Sequence, residues 1–171
     1  MGKVVHRRAR ANQVGFTLIE LLITVTIVGI LATVAAPAMH RMMLAQDVRT
    51  AASDIQTALY FARSEAIKRA ANVDTTPVTA GGSTDWKNGW TVQVSGGGAV
   101  LQKHGPLASE LSAMPGATIT YRSDGRVTAT PGVLTITTSD TQVEARCIRI
   151  DLSGRPNVNN YAFGGGTNTC S

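Results

Sequence analysis

Hydrophobic positions fall into distinct regimes along this chain. From Leu21 to Met39, 19 consecutive residues carry no formal charge. At about 1.5 Å rise per residue a helix of that length spans roughly 28 Å, close to the hydrocarbon thickness of a bilayer. Farther on the apolar residues thin to a stripe. Val48, Ala52, Ile55, Leu59, Ala62 and Ala66 recur at three- and four-residue steps, while Arg49, Asp54, Gln56, Arg63 and Lys68 fall mainly off it. This spacing predicts a helix with one packed face and one wet face. Pro37 lacks an amide donor and is expected to kink the segment without ending it. Counted from Phe16 to about Ala71, the helix would be about 80 Å long, its first half bare and its second half docked on a domain.

After Asn72 the period changes. Thr, Val and Gly replace Ala, Leu and Arg, and turn signals stand at Gly81-Gly82, Gly96-Gly97-Gly98, Pro115-Gly116, Asp124-Gly125 and Pro131-Gly132. Between them lie "GWTVQV", "AVLQKH", "ATITYRS", "GVLTITTS" and "EARCIRIDLS". Alternation sets Ile119 and Tyr121, then Ile148, Ile150 and Leu152, on single faces of half-buried strands. The expected class is α+β: a long N-terminal helix with a C-terminal antiparallel β-sheet domain. Trp86 and Trp90 are expected to anchor the first hairpin against the helix, with Tyr60 and Phe61 meeting them from the helix side.

Composition alters this picture in one respect. The net charge of +5 is uneven: Lys3, Arg7, Arg8 and Arg10 precede Gly15 with no acidic residue, and the remaining 12 basic residues face 11 acidic ones, a balance of +1. The basic balance therefore belongs to the first residues and does not argue for a nucleic-acid partner. By the positive-inside rule it holds the N-terminus in the cytoplasm and sends the chain after Met39 across the membrane. A secretory signal peptide is the competing reading. The apolar run is long for its h-region, however, and no small-x-small cleavage site ends it before Pro37.

One carboxylate, Glu20, stands at the head of the apolar run. The stretch "GFTLIELLITVTIVGILATVAAP" resembles the class III signal of type IV pilins and type II secretion pseudopilins, in which a short basic leader ends in Gly, followed by Phe and a Glu four residues later. The resemblance implies cleavage by a prepilin peptidase between Gly15 and Phe16, N-methylation of Phe16, and retention of the apolar helix in the mature protein. It also implies that Glu20 pairs with the N-terminal amine of a neighbouring subunit. A carboxylate at bilayer depth costs about 2.5 to 3.5 kcal/mol on insertion scales, and a partner ammonium offsets that cost as the subunit leaves the membrane. The expected divisions are a leader over 1–15, a transmembrane and filament-core helix over 16–39, and a periplasmic pilin domain over 40–171.

Downstream, "ALYFARSEAIKRAANV", "DWKNGWTVQV", "ITYRSDGRVTA" and "RCIRIDLSGRPNV" resemble, in that order, the signature blocks of the GspH/FimT family of minor pilins and pseudopilins. A periplasmic domain would hold Cys147 and Cys170 in an oxidising compartment, where they are expected to pair and staple "GRPNVNNYAFGGGTNT", a stretch with little means of ordering itself. No nucleophile elbow, Walker loop or HExxH occurs, and His40 and His104 lack partners at metal-ligand spacing, so no catalysis and no cofactor are expected.

The resemblance implies a non-catalytic filament subunit that helps initiate or form the tip of type IV pili. Its partners would be the major pilin, other minor pilins, the prepilin peptidase and the inner-membrane assembly platform. A pseudopilin H role in type II secretion is the alternative. Some FimT proteins bind DNA through a C-terminal Gly-Arg-x-Arg motif, and here the run reads Gly154, Arg155, Pro156, Asn157, with the second Arg replaced. Arg155, with Arg149 and Arg146, is the candidate patch, diluted by Asp151 and Glu144.

Overall fold

The computed structural model describes residues 16–112, 114–129 and 131–160. Helix α1 covers Leu18–Arg69, 52 residues, and runs through Pro37 without interruption. Its start is capped: the Thr17 hydroxyl accepts the Glu20 amide N–H at 3.3 Å, satisfying one of the donors a helix leaves open at its first turn. Its end is capped too. Ala70 takes a left-handed φ of 50°, its N–H reaches the Ile67 carbonyl, and the Ala71 N–H reaches the Ala66 carbonyl. This paired arrangement is a Schellman motif built on alanine where glycine is usual.

The chain divides between Ala38 and Met39 into two compact units. In the first, the large apolar side chains from Phe16 to Val34 are all more than half exposed. In the second, the expected stripe is buried. Val48, Ala52, Ile55, Leu59, Ala62 and Ala66 join Leu44, Ala51 and Ala58 in one hydrophobic cluster with residues of both sheets. Full burial of side chains such as Ile55 and Leu59 is worth about 1.5–3 kcal/mol each. Tertiary packing, more than helix propensity, holds this half of α1.

Among the described residues, seven strands form two antiparallel sheets. The first contains β1 (Val73–Ala80), β2 (Ser83–Val94), β3 (Val100–His104) and β4 (Ile119–Tyr121), in the order β3-β2-β1-β4. The second contains β5 (Val133–Ile136), β6 (Arg146–Ile150) and β7 (Pro156–Asn160), in the order β5-β6-β7. Between β1 and β2, Gly81 and Gly82 both have positive φ, as a two-residue hairpin turn of the type that matches strand twist requires.

Two strands lie where the sequence pattern was silent. β1 reads "VDTTPVTA", too polar and too close to Pro77 to stand out, yet it pairs on both sides, with β2 and β4. Pro77 is accommodated because the register jumps there: Pro77 faces Trp90 while Val78 faces Asp85. The missing amide thus falls at a bulge, where a ladder can spare a donor. The residues looped out between them place Trp86 in the core beside Trp90, ring centroids 6.0 Å apart and both fully buried. Asp85, itself 5% exposed, accepts the Met114 and Lys87 amide N–H groups and so ties the long segment after β3 to this bulge.

The other unanticipated strand is β7. Residues 156–160 were expected in a stretch unable to order itself; they pair with β6 from Arg146↔Asn160 to Ile150↔Pro156. Two side chains also depart from expectation. Leu152 is 55% exposed because β6 ends at Ile150 and the chain turns, whereas Ile148 and Ile150 are buried. Tyr60 stays at the surface and donates its hydroxyl to the Pro156 carbonyl at 3.2 Å, holding β7 to α1, while Phe61 packs against the core.

Candidate assembly site

The residues read from the sequence as chemical fall into three separate places. At the N-terminus, Gly15 lies outside the described residues. Phe16 is exposed, Thr17 caps α1, and Glu20 occupies the first turn. A Thr at the cap with a Glu three residues on is a capping-box spacing, a local reason for both residues that the sequence already contained. The positive end of the helix dipole also favours an acid there. Glu20 is exposed and has no ion-pair partner among the described residues. Its carboxylate is therefore available at the head of a bare apolar helix.

The second place is a junction on the wet side of α1. Arg63 donates through Nε to the Gly125 carbonyl at 2.9 Å and through Nη2 to the Ser153 carbonyl at 3.4 Å. One guanidinium thus gathers the turn after β4 and the turn between β6 and β7. Gly154 has a φ of +78°, and a Cβ there would lie 2.1 Å from the Gly125 carbonyl oxygen, so only glycine fits. Asp151 ties the same turn from below. The Ser153 hydroxyl and the Arg155 amide N–H both donate to it, and these bonds, the Ser153 hydroxyl first, hold its carboxyl below the usual carboxylate range. Tyr121 is fully buried here, and burial pushes its phenol upward. Its hydroxyl has no hydrogen-bond partner among the described residues.

These contacts bear directly on the Gly-Arg run. Gly154 is there for packing, and the Arg155 backbone is held while its side chain is exposed. Arg146 and Arg149 do not share one face, so the three arginines do not form a single patch. Alternation along β6 puts Arg146 on the face of Ile148 and Ile150, toward α1, and Arg149 on the opposite face with Cys147. Arg149 lines a cavity with Val133, Asp151 and Leu152, whereas Arg146 lines a groove with Arg49 of α1.

The third place is Cys147, 7% exposed and not a free thiol; Cys170 lies outside the described residues. His104, solitary in the sequence, stacks on Trp90 at 4.1 Å, with Nε2 3.6 Å from an Asp54 carboxylate oxygen. The partners come from two other elements, β2 and α1, so no local spacing announced them. Among the described residues no group of three or more His, Cys, Asp or Glu is placed to hold a metal.

A long helix whose N-terminal half is bare and apolar and whose C-terminal half is packed on antiparallel sheets is the type IV pilin architecture. The chain belongs to the GspH family, described as type II transport protein GspH, whose model matches residues 51–154. The prokaryotic N-terminal methylation motif matches residues 10–36. Among solved structures the chain is similar to the type IV minor pilin FimU of Pseudomonas aeruginosa strain PAO1 in two crystal forms. One has 21% identity and a TM-score of 0.55, covering 65% of this chain and 91% of that one. The other has 21% identity and a TM-score of 0.58, covering 67% and 89%. At that identity the likeness is one of fold. Pilins and pseudopilins are structural filament subunits.

Proposed function

We propose that this chain is a minor type IV pilin, a non-catalytic subunit that helps initiate or form the pilus tip together with other minor pilins and the major pilin. The observation that carries the reading is the methylation-motif match over residues 10–36, a span that includes Gly15-Phe16, joined to a capped apolar helix that presents Glu20 in its first turn. In this reading a prepilin peptidase cuts after Gly15 and Phe16 is N-methylated. The helix, which is long and apolar enough to cross a membrane, anchors the subunit in the inner membrane with its sheet domain in the periplasm. From there the assembly platform extracts it. Leaving lipid is favoured because Glu20 then meets a neighbour's amine instead of hydrocarbon. Cys147 and Cys170 form a disulfide in this compartment.

The description of the matched family supports a second reading, a pseudopilin of type II secretion. Deleting the gene separates the two: a minor pilin's loss removes surface pili, and a pseudopilin's loss traps secreted enzymes in the periplasm. The common ground is tested by mass spectrometry of the assembled protein. The expected N-terminus is methylated Phe16, and Gly15→Val leaves a longer precursor outside filaments. Glu20→Ala is expected to insert in membranes as wild type does but to fall several-fold in the sheared filament fraction. An intact Met1 in filaments, or wild-type incorporation of Glu20→Ala, would refute the reading.

A further inference from the structure

Of the twelve Lys and Arg side chains after Met39, six have partners among the described residues. Arg41 pairs with Asp140, Lys68 and Arg69 with Glu65, and Arg122 with Asp124, while Arg63 and Lys87 are spent on backbone carbonyls. Arg49 and Arg146 are matched by none of the described residues, yet both line the same two adjoining cavities between α1 and β6, of about 240 and 140 Å³. The space exists because α1 presents the small Ala45, Ala52 and Ser53 beside Arg49, and because β6 carries Arg146 on its helix-facing side. Gln142 supplies a further polar group at the rim.

We propose that this groove is a phosphate site, with Arg49 and Arg146 as its two guanidinium arms, and that the phosphate it takes is the headgroup of a phospholipid in the membrane that holds α1. The proposal rests on the membrane anchoring argued above. Three features select the ligand. Guanidinium groups match the oxygen geometry of phosphate, forming paired hydrogen bonds to it. The two arms face one rim carboxylate, Glu144, while Arg41 is neutralised by Asp140, so the groove carries a single net positive charge and suits a phosphodiester monoanion over a dianion. Its depth along the helix also fits. The charge-free run of α1 ends at Met39, and at about 1.5 Å per residue Arg49 lies about 15 Å beyond it. Each headgroup layer is about 5–7 Å thick, and a long side chain that extends back toward the interface spans most of the remaining distance.

The test uses the full chain released from membranes in mild detergent. Native mass spectrometry counts bound lipid after adding phosphatidylglycerol or a diacylglycerol of the same chains. The expected result is one retained phosphatidylglycerol per chain, no retained diacylglycerol, and about tenfold less lipid bound by Arg49→Gln/Arg146→Gln. Arg49→Lys is expected to fall between, because it keeps charge but loses the fork. Melting of each variant at the wild-type temperature shows that the groove, and not the fold, has changed. Equal retention by the double variant, or equal retention of diacylglycerol, overturns the proposal. Displacement of the lipid by millimolar inorganic phosphate, with no lipid selectivity left, assigns the site to free phosphate; displacement by a short oligonucleotide at micromolar concentration assigns it to nucleic acid, and either result overturns the lipid assignment. Flotation of the cell membranes keeps the two readings apart. A chain that floats but shows no lipid selectivity refutes this inference alone, and a chain absent from the membrane fraction refutes the anchoring beneath it.

Discussion

Replacing Gly154 by alanine isolates the close approach on which the junction at Arg63 depends. The added Cβ would stand 2.1 Å from the Gly125 carbonyl oxygen and 3.1 Å from the Tyr121 ring, with φ at +78°. Gly132 is the internal control: its φ is +74°, and a Cβ there meets nothing within 4 Å. Both substitutions incur the left-handed backbone cost of about 1–2 kcal/mol, and both gain the same fraction of a kcal/mol from a stiffer unfolded chain. Only Gly154→Ala must also displace backbone in a packed region, at about 2 kcal/mol by analogy with overpacked cores. The gap between the variants is therefore about 2 kcal/mol, roughly 8 °C in melting temperature for a domain of this size. Thermal unfolding followed by circular dichroism on the unit Met39–Ser171 reads it directly. Equal melting of Gly154→Ala and Gly132→Ala would refute the close-approach argument and return the glycine to a functional explanation.

Three further outcomes are expected. With Cys147 and Cys170 joined, the unfolded, unreduced chain should take up no thiol label. Reduction should then cost about 3 kcal/mol, the chain-entropy value for a loop of about 23 residues, and uptake of two labels per chain would remove the staple. Burial raises the Tyr121 phenol above its ordinary value of 10.0, so the stability it confers is complete below pH 10 and is lost as pH rises beyond it. Tyr121→Phe should flatten that alkaline loss and leave stability at pH 7 unchanged or up to about 1 kcal/mol higher, while a loss at pH 7 would reveal a hydroxyl partner. For DNA, Arg155 is exposed and Arg146 lies on the opposite face of β6 from Arg149, so the three do not form one patch and gel shifts should give affinities no tighter than about 10 µM at physiological salt, falling steeply as salt rises. Sub-micromolar binding abolished by Arg155→Ala would make DNA uptake the main function.

What could be read without coordinates was whatever acts over one or two turns of chain. The charge-free run to Met39, Glu20 at its head, the apolar stripe from Val48 to Ala66 and the alternation of Ile148 and Ile150 each concern neighbours along one element, where period alone assigns a face. Thr17 and Glu20 belong to the same local class: their capping spacing was present in the sequence, although the acid drew notice for its place in an apolar run. Tertiary structure decided the rest, because each remaining feature joins residues far apart in the chain. Strand β1 looks like a loop until β2 and β4 pair with it, and β7 until β6 does. Arg63 reaches Gly125, 62 positions on, and Ser153, 90 positions on. Arg146 and Arg149, three residues apart and alike in composition, were parted by the two-residue period of a strand whose buried face only the helix could choose: one faces Arg49 across the groove, the other the opposite side of the sheet.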